Sequence, residues 1–132
     1  MEYGCIGEHL IHSFSKEIHA QLQDYLYELK EIPMGALDSF MTERNFKAIN
    51  VTIPYKQDVI PYLDELSPVA ARLGAVNTIV RRSDGSLIGH NTDYFGFHSM
   101  VMKTGLNVAG KKVLVLGSGG ASNTAVQVLK AH

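Results

Sequence analysis

Apolar positions along this chain change spacing several times, and each change marks a new element. Residues 6–11 read as a short strand broken by polar side chains. Over 16–30, Ile18, Leu22, Leu26 and Leu29 form one apolar stripe at helical spacing, with Ser15 placed to cap the helix start. Residues 31–37 suggest a second strand, against the resistance of Pro33 and Gly35. Asp38 or Ser39 then caps a short helix running to Glu43 or Arg44. The β-branched run over 48–53 predicts a strand that stops at Pro54. From 55 to 66, Val59, Leu63 and Leu66 recur at helical spacing, and Pro61 predicts a kink or two short helical pieces. Ser67 and Pro68 restart a helix as cap and first residue, and Gly74 ends it.

Two runs, 76–82 and 86–90, flank Ser83-Asp84-Gly85 and predict a hairpin. Thr92 or Asp93 caps a further helix that turns Phe97, Met100 and Val101 inward and closes at Gly105. The apolar centre of 111–116 predicts a strand buried on both faces. It runs into Gly117-Ser118-Gly119-Gly120-Ala121 and a helix reaching Lys130. Alternating strands and helices imply an α/β fold: an open, mostly parallel twisted sheet flanked by helices, followed by a truncated Rossmann-like βα unit. The boundary falls in 105–111, giving one domain over 1–105 and the start of another over 106–132. A strand, a glycine turn and a helix form only the opening of a nucleotide-binding domain, so the chain is expected to be part of a longer enzyme.

Composition narrows the field. Leu, Ile, Val and Phe make up more than a quarter of the 132 residues, enough for a core and too many for a disordered segment. A formal net charge of −1 gives no broad basic surface, so no nucleic-acid partner is expected. No apolar run is long enough to span a bilayer, and the N-terminus lacks a signal-peptide layout. The single Cys5 makes neither an internal disulfide nor a cysteine metal site. A soluble, cytoplasmic protein without a metal is expected.

Four clusters carry polar residues at strand ends or helix starts. If extended, Ser13-Phe14-Ser15 points both hydroxyls one way, toward one carboxylate; the plainer alternative is a helix cap. Asn50 and Thr52 share one strand face, and Lys56 follows on the next turn, where a helix start disfavours a cation unless its charge is needed elsewhere. Asn77, in Gly74-Ala75-Val76-Asn77-Thr78, is a binding amide or a strand-start amide satisfying backbone groups. Asp93, in Gly89-His90-Asn91-Thr92-Asp93, is a carboxylate at a helix start, whose plain reading is an N-cap.

Taken together, Ser-Phe-Ser before a helix, Asn50-Val51-Thr52-Ile53-Pro54-Tyr55-Lys56, Gly-Ala-Val-Asn-Thr and His90-Asn91-Thr92-Asp93-Tyr94-Phe95-Gly96-Phe97 resemble shikimate dehydrogenase in order and spacing. The glycine turn extends the resemblance over essentially the whole chain, although that turn alone is weak evidence. Lys16 and Ala20 depart from the family pattern, which commonly has proline and asparagine there. The resemblance implies that Ser13 and Ser15 hold the substrate carboxylate, and that Thr52, Asn77 and Asp93 contact ring hydroxyls. It makes Lys56 and Asp93 the catalytic pair, with Asn91 helping to shape the site. Gly117, Ser118, Gly119, Gly120 and Ala121 would bind the cofactor, NADP.

The implied reaction reduces 3-dehydroshikimate reversibly to shikimate. Hydride arriving at a ketone builds charge on its oxygen, which needs a proton donor or cation within hydrogen-bond reach. A lysine beside a carboxylate is a coupled pair, and the sequence leaves open which member moves the proton. The 132 residues alone are expected to lack activity and at best to bind shikimate weakly. The strand at 113–116 is expected to fold back, be disordered, or pair with a second copy, a homodimer being one such outcome. Two other readings stand beside this one: a quinate/shikimate dehydrogenase using NAD, and a non-catalytic module that binds small acids. The lysine–carboxylate couple argues against the second.

Overall fold

The run predicted to be a strand over 48–53 lies in the interior of a six-stranded sheet. In the computed structural model, which describes residues 1–132, the strands are β1 (Tyr3–Gly7), β2 (Tyr27–Glu31), β3 (Ala48–Val51), β4 (Glu65–Leu66), β5 (Thr78–Arg81) and β6 (Leu87–His90). Their order is β2-β1-β3-β5-β6-β4. β1 runs parallel to both β2 and β3, and β4 runs parallel to β6. β5 alone opposes its neighbours, so the sheet is mixed with one reversed strand, close to the mostly parallel sheet expected. The helices are α1 (Ser15–Leu22), α2 (Leu37–Glu43), α3 (Pro68–Leu73), α4 (Asp93–Lys103) and α5 (Gly120–Lys130).

Strand alternation splits the sheet into two unlike faces. Ile6, Ile49, Val51 and Ile79 enter the main core with Leu37, Met41, Val59, Ala70, Val76 and Leu87. Burying each large side chain there contributes roughly 1.5–3 kcal/mol. Neighbours one position away point to the other face, where Cys5 and Tyr27 form a smaller cluster with Leu10. Asn50, between Ile49 and Val51, is thereby turned to that second face.

The hairpin and the third helix are as expected. Ser67 caps α3, its hydroxyl accepting from Ala70 N at 3.2 Å, Pro68 is the first helical residue, and Gly74 closes it at φ 64°. Gly85, at φ 87°, turns the β5–β6 hairpin.

Elsewhere the structure corrects the expectations. The first strand is Tyr3–Gly7 rather than 6–11. The helix expected to Lys30 stops at Leu22, and Ile18, Leu22 and Leu26 of its stripe stay in water, 53%, 69% and 71% exposed, while Leu29 packs from β2 against the smaller cluster. Tyr25, Tyr27 and Leu29 alternate at period two, and pairing along β1 outweighs the helical spacing. The second strand is therefore Tyr27–Glu31, not 31–37. The N-cap position of α2 is Ala36, with neither Asp38 nor Ser39 capping it. Over 55–66 only a short 3-10 turn (Ile60–Tyr62) forms, and Leu66 joins β4. In α4, Met100 is 62% exposed rather than inward. Residues 111–116 form no strand, and Leu114 and Leu116 are 81% and 87% exposed.

Candidate active site

At the carboxyl end of β3 the chain leaves the sheet through Thr52 and a cis Ile53–Pro54 bond, and turns rather than a helix carry Lys56. Lys56 therefore sits at no helix start, and the electrostatic misfit expected there does not arise. Its backbone is fixed instead: the Lys56 carbonyl accepts from Val76 N at 2.8 Å, one residue before Asn77. Asp93 opens α4 at the end of β6. Lys56 Nζ donates to Asp93 Oδ2 at 2.7 Å, with the two side chains 30% and 45% exposed. Residues thirty-seven places apart in sequence thus form one ion pair beyond the carboxyl ends of β3 and β6. A half-exposed pair of this kind adds only about 0–1 kcal/mol to stability.

Asn77 is held against the residue before Asp93. Its Nδ2 donates to Thr92 Oγ1 at 2.8 Å, and its Oδ1 accepts from Thr92 N at 2.9 Å. Both ends of the amide thus hold the residue preceding Asp93. Asn91 donates to the Ala75 carbonyl at 3.1 Å and accepts from Tyr94 N at 3.3 Å, serving α4 where neither Thr92 nor Asp93 gives a side-chain cap.

The network extends to residues the motif reading left without a role. Tyr27 OH donates to Asn50 Oδ1 at 2.6 Å, and Asn50 Nδ2 donates to Thr78 Oγ1 at 3.1 Å. Thr78 Oγ1 in turn donates to Asn77 Oδ1 at 3.1 Å. Burial pushes the Tyr27 hydroxyl well above its usual value, with the adjacent Cys5 adding to the rise and Ser15 opposing it. Burial likewise raises the Cys5 thiol, against a hydrogen bond with Tyr27. The period-two spacing of Tyr25 and Tyr27 was the available signal for this strand, masked by the helical stripe around it.

The serines lie on the segment entering α1. Ser15 N donates to Ser13 Oγ at 3.3 Å, so Ser13, rather than Ser15, plays the cap-like part. Ser13 and Thr52 line one cavity of about 460 Å³ with His9, Leu10, Ile11, His12 and Ile53. The structure thus joins Ser13 to Thr52, and Lys56 and Asn77 to the Thr92–Asp93 turn. Gly117, Ser118 and Gly119 lead into α5, and Gly120 and Ala121 are its first two residues. No helix is long and apolar enough to cross a membrane.

Comparison with known proteins adds names to this geometry. Residues 5–79 match the family model for the shikimate dehydrogenase substrate binding domain. A shikimate dehydrogenase (NADP(+)) from Clostridium beijerinckii is 41% identical over 98% of this chain and 51% of its own length. The crystal structure of shikimate dehydrogenase 1 from Peptoclostridium difficile superposes with a TM-score of 0.91 at 38% identity, covering 99% of this chain and 52% of that one. A shikimate 5-dehydrogenase from Thermus thermophilus, in complex with NADP(H) and shikimate, gives 0.87 at 34% identity, covering 99% and 52%. The chain spans about half the length of the curated relatives it matches.

Proposed function

The chain belongs to the shikimate dehydrogenase substrate-binding domain family, and from that premise we propose that it is the substrate-holding part of an NADP-dependent shikimate dehydrogenase. The reaction is the reversible reduction of 3-dehydroshikimate to shikimate. The observation that carries this reading is the 2.7 Å contact between Lys56 Nζ and Asp93 Oδ2, beside the doubly bonded Asn77 amide.

Each group has a part to play. Ser13 and Ser15 hold the ring carboxylate. Thr52, Asn77 and Asp93 take the ring hydroxyls, and the rigid hold on Asn77 fixes the direction of its hydrogen bonds before substrate arrives. The proton gained by the carbonyl oxygen is held between Lys56 Nζ and Asp93 Oδ2, within reach of one bound ring. The ammonium also meets charge growing on that oxygen.

The glycine loop fits an anionic cofactor. The N–H groups of Gly120, Ala121 and Ser122 open α5 without intrahelical acceptors, and a Cβ built at Gly119 or Gly120 would meet no atom within 4 Å. Such a helix start receives a diphosphate well. When bound, NADP supplies or accepts the hydride. Residues 1–105 form the substrate domain in this reading, and 106–132 begin the nucleotide unit. A cytoplasmic setting belongs to the same reading. A homodimer through the unpaired 113–116 segment belongs to the same reading, and sedimentation tests it.

Calorimetric titration of the 132-residue chain with shikimate tests the binding half: weak saturable binding is expected, and its absence refutes it. In a chain extended to the relatives' length, Lys56→Ala should cut turnover by about 10²–10⁴-fold; unchanged turnover refutes the catalytic pair. A second substrate reading rests on a quinate dehydrogenase from Corynebacterium glutamicum in complex with NAD, 32% identical with a TM-score of 0.81. Initial rates on shikimate and quinate with each cofactor separate the two.

A further inference from the structure

Helix α1 carries Ser15 at its start, yet burial of apolar surface does not explain why it stays in place. None of its residues is fully buried, and Ile18 and Leu22 are 53% and 69% exposed. Of its eight residues, only Ser15 and His19 are even half-buried. These two are four apart, so they share one face of the helix, the face turned to β2. There the His19 ring lies flat on Tyr27, with centroids 3.8 Å apart and planes 9° from parallel. His19 Nδ1 also hydrogen-bonds the Tyr25 hydroxyl. Tyr27 is the residue whose hydroxyl bonds Asn50 and lies beside Ser15.

We infer that His19 is a positioning residue for acid recognition: its stack on Tyr27 and its bond to Tyr25 pin α1 to the sheet and so hold Ser15 where the substrate carboxylate binds. The inference rests on the reading of Ser13 and Ser15 as the carboxylate holders. A mobile α1 would leave the Lys56–Asp93 pair intact, because the two side chains bond each other directly from the ends of β3 and β6 and His19 touches neither. It would weaken only the end of the site that distinguishes a carboxylate from a neutral group.

The test compares binding of shikimate with binding of its methyl ester, together with amide hydrogen exchange of the free protein. In the unaltered protein the acid should bind more tightly than the ester. His19→Ala should reduce that preference about tenfold, the scale of losing charge-assisted hydrogen bonds. Amides over 18–23 should exchange faster, while those of β1 and β3 keep their protection. His19→Phe, which retains a flat ring on Tyr27, should recover most of both properties, and His19→Gln should not. An unaltered protein with no preference for the acid would sink the carboxylate reading, and this inference with it. If the preference is present, unchanged exchange over 18–23 in His19→Ala overturns the inference alone, as does faster exchange with the preference intact.

Discussion

Two stretches of this chain have similar β-forming sequence and opposite outcomes. Ala48–Val51 forms β3, in register with β1 from Tyr3↔Ala48 to Ile6↔Val51 and with β5 from Ala48↔Val80 to Asn50↔Thr78. Residues 113–116 are wholly apolar, yet the one backbone hydrogen bond of 111–116 runs from Lys111 N to Val108 O. Val113 and Val115 instead line a cavity of about 480 Å³ against Val126 and Leu129 of α5. α5 has its own anchorage: Thr124, Ala125 and Val128 are buried, and Asn123 Nδ2 donates to the Leu73 carbonyl at 3.3 Å. A strand is a property of neighbours, since its N–H and C=O groups are satisfied only by another strand. A helix satisfies its own and needs only one face to dock.

The contrast can be broken or sharpened experimentally. The largest effect should come from Ile49→Ala, which empties a site 2% exposed and should cost about 2–5 kcal/mol in denaturant unfolding. Leu114→Ala, at 81% exposure, should stay within about 0.5 kcal/mol. Equal losses at the two positions would mean that 111–116 is packed in solution as the sheet is. Glycines give a second pair. A Cβ at Gly4 would run into the Glu28 carbonyl oxygen on the neighbouring strand, so Gly4→Ala should cost about 1–3 kcal/mol or more. Gly119→Ala enters open space and should leave the melting temperature nearly unchanged.

The smallest effect concerns acid. All the ion pairs lie within the first ninety-three residues, so titration should act on that region. Asp64 accepts from Leu87 N and from Arg44 Nη1, both at 2.8 Å, and these bonds hold its carboxyl below the usual 3.8. Because the folded value lies below the unfolded one, the stabilisation is complete above about pH 5 and fades as pH falls through the lowered value. Asp64→Asn should therefore flatten the acid limb of melting temperature against pH. A limb of unchanged slope would assign acid sensitivity to other carboxylates.

Legibility differed between parts of the site for a physical reason. Lys56, Asn77 and Asp93 sit beside strong local punctuation, namely Pro54, Gly74 and the β6–α4 turn, so their place at element ends could be read directly. Tyr27 could not. Its neighbours Ile18, Leu22, Leu26 and Leu29 mimic a helix, and only pairing with β1 reveals the strand. The same applies to 55–66, where Pro61 and the docking of Leu66 in β4 leave one short turn of the expected helix.

Sequence by itself determined the β3 strand, the β5–β6 hairpin, the capped third helix and the residue types available for chemistry, because each depends on contacts a few positions apart. Tertiary structure alone decided that Lys56 meets Asp93, that Tyr27 is linked through Asn50 and Thr78 to Asn77, and that 111–116 has no strand beside it. Those outcomes depend on which distant segments come to lie side by side, and local propensity carries no record of that.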